Sequence, residues 1–298
     1  MRILLTGANG FLGKSIVEEL MHQNQLFYLS RSSNHYKVSL EKDVPHFHTS
    51  FDIVIHAAGK AHNVPISPKE VRKFYEVNVL GTLNLLKGLE AAGLPKKFVY
   101  ISSVSVYGQE SGINIDEDTF LGADDPYGLS KVEAENLILD WCNSNAIVCT
   151  ILRLPLLVGK NPPGNLGAMI KAIQRGYYFN ILHGHARKSM VLAEDIAKII
   201  LKAAEVGGIY NLTDGYHPSF NELSHLIAQQ LGKTFIPNMP SWLAKTLAKL
   251  GDIIGPRFPL NSKKYKKITS DLTFKDLKAR EAFGWNPTPV MEGFKLFA

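Results

Sequence analysis

Cysteine is scarce in this chain, with two among 298 residues, Cys142 and Cys149. One at a helix end and one in a strand, they offer no disulfide framework and no thiolate metal set. Both are expected as packing residues in a reducing, cytoplasmic setting. Long apolar runs are missing too: no stretch approaches the roughly 20 residues that cross a bilayer. No charged leader with an apolar segment precedes the first strand, so neither secretion nor stable membrane insertion is expected. Internal repeats and low-complexity tracts are absent. The ten histidines include no pair at convincing ligand spacing. His183 and His185, on a glycine-flanked loop, are expected as solvated side chains, and no metal is expected.

What is present has the balance of a globular enzyme, 45% hydrophobic and 20% charged. The length allows one sizeable domain or two modest ones with a large core. The net charge is +6, and much of it comes from Lys263, Lys264, Lys266 and Lys267. A basic tract can meet nucleic acid or an anionic membrane. A solvated loop or helix face is the expectation here, with some attraction for diphosphate substrates and no nucleic-acid partner.

Two motifs carry chemistry. Arg2-Ile3-Leu4-Leu5-Thr6 reads as a short apolar strand, followed by Gly7-Ala8-Asn9-Gly10-Phe11-Leu12-Gly13 and a helical pattern from about Phe11 to His22. In a strand–turn–helix setting the first glycine permits the sharp turn. The second lets backbone approach a pyrophosphate, and the third lets the helix pack on the strand. The helix N-terminus then favours phosphate. An ordinary strand–turn–helix junction has the same outline, so the second motif adds the weight. The apolar run Lys97 to Ile101 reads as a buried strand. It ends in Ser102-Ser103-Val104-Ser105-Val106-Tyr107-Gly108, which presents hydroxyls at the strand's C-terminal end. Tyr127-Gly128-Leu129-Ser130-Lys131 opens a helical pattern to about Trp141, and Tyr127 and Lys131 share one helix face. Such a pair also arises by chance on helix surfaces. Beside a dinucleotide site it reads as acid/base machinery: an ammonium near a phenol lowers its pKa from about 10. That suits proton exchange with a hydroxyl or carbonyl while a hydride moves elsewhere. Ser103 would bond the same oxygen.

These motifs, with His56-Ala57-Ala58-Gly59 and Asn78-Val79-Leu80-Gly81-Thr82, come in the order and spacing of the extended short-chain dehydrogenase/reductases. The chain resembles their NAD(P)-dependent nucleotide-sugar epimerase/reductase branch over nearly its whole length. More narrowly, Tyr127 to Glu135, Gly164-Asn165-Leu166 and Lys188-Ser189-Met190-Val191 resemble bacterial reductases or epimerases of 4-keto or 4-hydroxy UDP-N-acetylhexosamines. The resemblance implies an α/β fold: a Rossmann-type doubly wound parallel sheet with a smaller C-terminal substrate lobe. Residues 1–154 would be the NAD(P)-binding domain and 155–298 mainly the nucleotide-sugar lobe, with the chain free to cross back between them. It implies Ser103, Tyr127, Lys131 and Asn78 as catalytic residues, Asn78 through hydrogen bonds that hold the site or bond neighbouring backbone. It implies cofactor contacts from Gly7, Asn9, Gly10, Phe11, Leu12, Gly13, Ala57, Ala58, Gly59, Tyr127 and Lys131. The loop Lys60-Ala61-His62-Asn63-Val64 resembles one lying over the nicotinamide side, where Lys60 and His62 either reach substrate or sit on a surface loop. Ser105 and Asn165 would meet the nucleotide sugar. The block Arg187 to Ala197 resembles one whose Arg clamps the diphosphate, and here Lys188 aligns with that Arg while Arg187 stands beside it. Homodimerisation through the active-site helix and its neighbour is a further expectation.

The reaction narrows by absences. Dehydratases of this fold carry an Asp-Glu pair after the active-site hydroxyl, whereas Ser103 is followed by Val104 and Ser105. What remains is hydride chemistry at one sugar carbon, most simply C4: 4-keto reduction, or 4-epimerisation with tightly bound NAD. The second strand, Leu26 to Leu29, ends at Ser30-Arg31-Ser32 with no acidic residue. An acid there would accept from ribose hydroxyls and favour NAD. Arg31 pairing a 2′-phosphate, with Ser30 and Ser32 adding donors, favours NADP, although Arg31 against the adenine face is an alternative. The segment from Tyr36 to Ser50 is short, so the third strand looks pared down. Val148 to Arg153 reads as the sixth strand, ended by Pro155. Trp242, Leu243, Thr246, Leu247, Leu250, Ile253 and Ile254 form an apolar stripe at helical spacing. Packing on its own lobe is expected, with a membrane or a partner as alternatives. A non-catalytic redox sensor or assembly factor keeps the same dinucleotide site, but usually without the Tyr/Lys pair.

Overall fold

Buried strands alternate with helices along the first half of the chain, and each added strand runs parallel to the last. The computed structural model describes residues 1–33, 35–61, 65, 67–255, 258 and 260–297. His62, Asn63 and Val64 of the expected nicotinamide loop lie outside the described residues. The order begins β1 (Arg2–Thr6), α1 (Phe11–Leu20), β2 (Gln25–Ser30), β3 (Tyr36–Lys37), β4 (Ile53–His56), α2 (Pro68–Tyr75), α3 (Gly81–Ala92) and β5 (Lys97–Ser103). It continues with β6 (Gly112–Ile115), α4 (Pro126–Ser144), β7 (Val148–Leu154), β8 (Leu156–Val158), α5 (Gly164–Arg175), β9 (Asn180–Ile181) and β10 (Met190–Leu192). Then come α6 (Ala193–Val206), β11 (Gly208–Asn211), α7 (Phe220–Gln230), β12 (Asn238–Met239), α8 (Ser241–Ile254), α9 (Ser262–Thr269), β13 (Leu272–Phe274), α10 (Leu277–Phe283) and α11 (Val290–Gly293).

Seven strands form one parallel sheet in the order β11-β7-β5-β4-β1-β2-β3. Central strands buried on both faces read as continuous apolar runs, as Ile53–His56 does. The order reverses between β1 and β4, which opens the binding crevice at their C-terminal ends. One face carries α1 and α6 over Ile3, Leu5, Ile53 and Val99, and the other packs Leu85, Leu89, Ala134 and Ile138 over Leu4, Val54 and Phe98. Cys142 is a free buried thiol in that second core, with Cys149 packed against it. The expected third strand is indeed cut to two residues. The main ladder stops at Leu154, since Pro155 has no N–H to donate.

Outside the main sheet the chain makes three small parallel pairs, β8 with β10, β9 with β12 and, reaching back before Pro155, β6 with β13. Around them a third core gathers Val158, Leu166, Met190, Leu223 and Phe294. Between these pieces α6 and β11 return to the main sheet. Ser219 opens α7 with a reciprocal capping box to Glu222.

Two features depart from a simple reading. α2 and α3 run on as one helical stretch through a π turn at Glu76–Leu80. This wider turn holds the Asn78 side chain toward α4, and nothing in local spacing signals it. The apolar stripe of 242–254 packs on one side only. Ala244, Ala248 and Gly251 are buried, whereas Trp242, Leu250, Ile253 and Ile254 are exposed. The buried face is made of small residues, and α9 is the neighbour that α8 contacts most.

Candidate active site

The crevice is lined first by the β1–α1 turn. Gly7 has φ +76°, and a Cβ there would come 2.7 Å from the Ala57 carbonyl carbon. A Cβ at Gly13 would come 2.1 Å from the Gly7 oxygen. These two glycines are therefore needed so that turn, helix and the Ala57-Ala58 backbone can touch. Gly10 is exposed, and a Cβ there would meet only the Gly7 oxygen, at 3.0 Å. Gly10 is also the N-cap of α1, which has no side-chain cap and no acid in its first turn. The N–H groups of Phe11 and Leu12 thus start a helix whose first turn carries no negative charge, a setting for a pyrophosphate. The Asn9 amide donates to the Ser32 hydroxyl at 3.1 Å, which ties this turn to the end of β2 where Ser30 and exposed Arg31 stand. These residues fit a dinucleotide.

A buried relay braces the floor. The Thr82 hydroxyl donates to the Asn78 carbonyl at 2.6 Å and so accepts from His56 Nε2–H at 3.0 Å. His56 Nδ1 then accepts from the Thr6 hydroxyl at 2.7 Å, and Thr6 Oγ1 accepts from the Ala58 N–H at 3.0 Å. Every donor in this chain has one acceptor, which defines the neutral Nε2–H tautomer. Burial, with the Lys131 charge nearby, pushes the His56 pKa down to about 3.

Asn78 is 1% exposed and its amide is fully engaged. It accepts from Lys60 N–H at 2.7 Å and donates to the Lys60 carbonyl at 3.2 Å and the Ser130 hydroxyl at 2.8 Å. It joins the loop after β4 to α4 and so positions the site rather than touching a reacting atom. The Lys60 ammonium lies over the Phe74 ring at 5.0 Å, and that ring packs against Tyr127 at 6.1 Å.

Asp125 caps α4 by accepting from the Tyr127 and Gly128 N–H groups at 3.0 and 3.2 Å, with Pro126 in the first turn. A Cβ at Gly128 would come 2.7 Å from the Ser105 oxygen, so this glycine lets α4 press on the turn after β5. The Ser103 hydroxyl bonds the Tyr127 phenol, and it lies 3.2 Å from the Ser105 hydroxyl. Thus Ser103, Ser105 and Tyr127 do come together. Lys131 is buried, and its ammonium donates to the Tyr100 hydroxyl at 3.1 Å and the Ile101 carbonyl at 2.9 Å. Its third donor has no partner among the described residues. A Cβ at Gly59 would come 3.3 Å from that ammonium, so Gly59 keeps the approach open.

This geometry corrects the expected electrostatics. The net shift of Tyr127 is upward rather than downward. Burial pushes the phenol above its ordinary value, partly offset by the Ser103 bond. Desolvation instead lowers Lys131 to about 8, with Glu135 opposing. One turn beyond Lys131, Glu135 is 1% exposed and pairs with Arg153 at 2.8 Å. Ser102 donates to the same carboxylate. Arg153 also donates to the Tyr107 hydroxyl at 3.1 Å, which donates to Asn211 at 2.8 Å. Tyr100, His56, Glu135 and Arg153 received no role from sequence reasoning. The i,i+4 step from Lys131 to Glu135 was the one available signal.

On the lobe side, Arg187 and Lys188 diverge. Exposed Arg187 donates to the His217 carbonyl at 3.2 Å and lies over the Tyr216 ring at 5.9 Å. Half-buried Lys188 donates to the Ser270 carbonyl at 2.8 Å. Burial and the neighbouring Lys267 lower its pKa to about 8, with Asp271 opposing. Lys267 is a cation that sequence spacing did not connect to this site. Asn165 is exposed in the first turn of α5, which has no side-chain cap.

Comparison with known proteins shows what the chain as a whole is similar to. UDP-glucose 4-epimerase of Vibrio cholerae is 26% identical, over 98% of this chain and 93% of its own. The N-acetyl-alpha-D-glucosaminyl-diphospho-ditrans,octacis-undecaprenol 4-epimerase of Escherichia coli O157:H7 is 28% identical, over 98% and 92%. GDP-6-deoxy-D-mannose reductase of Pseudomonas aeruginosa is 28% identical, over 76% and 79%. Among solved structures, the Thermotoga maritima UDP-glucose 4-epimerase with UDP-glucose superposes with a TM-score of 0.77 at 22% identity, covering 99% of this chain and 97% of that one. RMD from Pseudomonas aeruginosa complexed with NADPH gives 0.72 at 24%, covering 96% and 94%. Residues 3–213, which include the glycine turn, Asn78, Ser103, Tyr127 and Lys131, match the NAD dependent epimerase/dehydratase family, and the chain belongs to that family.

Proposed function

We propose that this protein is an NAD(P)-dependent oxidoreductase that reduces a 4-keto group of a nucleotide-linked sugar, for the synthesis of surface polysaccharide sugars. The observation that carries the reading is the Tyr127 phenol bonded to Ser103 at the C-terminal end of β5, beside the glycine turn of β1. A bound nicotinamide supplies the hydride that reaches the sugar carbon. Tyr127 gives its proton to the oxygen that becomes the C4 hydroxyl, and Ser103 holds that oxygen. Lys131, with one donor in reserve, binds a cofactor hydroxyl, and Asn78 keeps α4 and the Lys60 loop in register. Arg31, without an acid at the end of β2, supports NADP over NAD. Ser105, Asn165 and Lys188 are assigned to the substrate, with UDP favoured and residues 155–298 supplying most of its lobe. Arg187 adds charge at its rim.

A 4-epimerase is the second reading, favoured by the names of the Vibrio cholerae and Escherichia coli relatives. It would use Ser103, Tyr127 and Lys131 in both half-reactions.

One assay separates the readings. The purified protein is incubated with a UDP-4-keto-6-deoxy-N-acetylhexosamine and, separately, NADH or NADPH, and loss of the reduced nicotinamide absorbance is followed. Stoichiometric consumption, faster with NADPH, is expected. Tyr127→Phe should lower the rate at least about a hundredfold while cofactor binding persists; full activity in that variant would sink the assignment. Interconversion of UDP-N-acetylhexosamines without net consumption would replace the reductase by the epimerase. Bound cofactor with no turnover and a stable protein partner would favour a redox sensor.

A further inference from the structure

Half of α8 faces away from the protein. Gly251 is seated so closely that a Cβ would come 1.9 Å from the Leu260 carbonyl oxygen, and Ala244 and Ala248 are buried beside it. On the other side Trp242 is 68% exposed, Leu250 45%, Ile253 82% and Ile254 62%. At 100° per residue these four fall within an arc of about 120°. Lys245 and Lys249, one turn apart, border it, and both are exposed.

Among the described residues the free charges that α8 itself carries are positive. Asp252, the acid of α8, accepts from the Ser262 N–H at 2.9 Å and from the Ser262 hydroxyl, so it is committed to starting α9. α9 then adds Lys263, Lys264, Lys266 and Lys267 without an acid. This second helix also reaches the active-site side of the molecule. Lys263 pairs with Glu110 at 3.3 Å and feels Asp124 and Asp125, the latter being the cap of α4. Lys267 is the neighbour of Lys188.

We propose that α8 docks this protein on the surface of an anionic lipid bilayer. Trp242, Leu250, Ile253 and Ile254 enter the boundary between headgroups and acyl chains, and the bordering lysines lie among the headgroups. Tryptophan suits that boundary because its ring is apolar and its N–H polar. Fourteen residues make a helix of about 21 Å, too short to span, and among the described residues no helix is long and apolar enough to cross a membrane. Attachment is therefore to the surface. A second copy of the chain fits less well: two-fold pairing of this face sets Lys245 and Lys249 against their own copies with no free carboxylate between them. Nucleic acid would use the lysines but leave the isoleucines in water.

The test uses the whole protein and unilamellar vesicles of phosphatidylcholine, with or without phosphatidylglycerol. Cosedimentation with the anionic vesicles is expected, with a blue shift of tryptophan emission that Trp242→Phe removes. Ile253→Asp, at an exposed site where folding is not at stake, should weaken partitioning about tenfold or more and leave turnover in solution unchanged. Lys245→Glu with Lys249→Glu should weaken it further and abolish the preference for phosphatidylglycerol. Equal sedimentation of the parent and Ile253→Asp proteins, or no binding to anionic vesicles, overturns the proposal. So does a lipid-free dimer that Ile253→Asp dissociates, since the face would then be an interface between copies. Vesicle binding is read without substrate, so it stands or falls separately from the reaction assigned above.

Discussion

Around α4, His56, Asn78, Glu135 and Arg153 are each at most 3% exposed, and each is bonded to two or more partners. Around the start of β10 the picture differs. Arg187 is exposed, Lys188 is half-buried beside Lys267, and the nearby Asp271 carboxylate accepts from the Arg187 backbone. The first region is a lattice in which folding has already fixed the side chains around α4. The second is a cluster of cations whose field is only partly neutralised until an anion arrives. Acid/base groups act best when held before the substrate binds. A diphosphate site gains from charge that the protein itself has not compensated.

If this contrast is right, damage should fall on stability in one region and on affinity in the other. Glu135→Ala leaves Arg153 buried without its carboxylate and should cost about 3–5 kcal/mol, read as a lower urea midpoint at unchanged slope. A loss below about 1 kcal/mol would mean that the lattice is not holding α4. Lys188→Ala should raise the KM for the nucleotide sugar about tenfold at nearly constant kcat, because it removes a charge that binds ground and transition states alike. Arg187→Ala should change KM by no more than about twofold, since its guanidinium is already bonded to the His217 carbonyl. The opposite ranking would move the diphosphate clamp to Arg187.

The mildest effect should come from pH. Lys131 and Lys188 both titrate at about 8, below the ordinary lysine value of 10.5. Between these values the unfolded chain binds more protons than the folded one, so their contribution to stability grows as pH rises through that window. Ligand affinity should move the other way, because the ammonium ions are lost above pH 8. Cofactor and substrate dissociation constants that rise over this range, while the contribution of these lysines to folding stability also rises, would bear out the assignment. Parallel falls in both would refute it.

Much of the site could be read along the chain. The glycine turn, the serines ending β5 and the Tyr127–Lys131 pair are local patterns, and each has a local cause: a turn needing positive φ, a strand end, a four-residue helical step. The electrostatics were not legible in the same way. The ammonium of Lys131 was expected beside Tyr127 and is bonded to Tyr100 and Ile101, about thirty residues away in the chain. Desolvation, which no spacing rule contains, then sets the direction of both pKa shifts. The fate of α8 was equally hidden, because an apolar stripe looks the same whether the fold covers it or leaves it bare.

Spacing was enough for the glycine turn, the serines at the end of β5 and the Tyr127–Lys131 step, since each lies within one short stretch of chain, and the resemblance those motifs carry implied the doubly wound sheet that the structure shows. The neutral His56 relay, the π turn that aims Asn78, the buried Glu135–Arg153 pair and the Lys188–Lys267 neighbourhood depend on segments brought together from 18 to more than 70 positions apart. Packing alone decides which of those groups lose their water, and the loss of water is what turns a row of polar residues into a site.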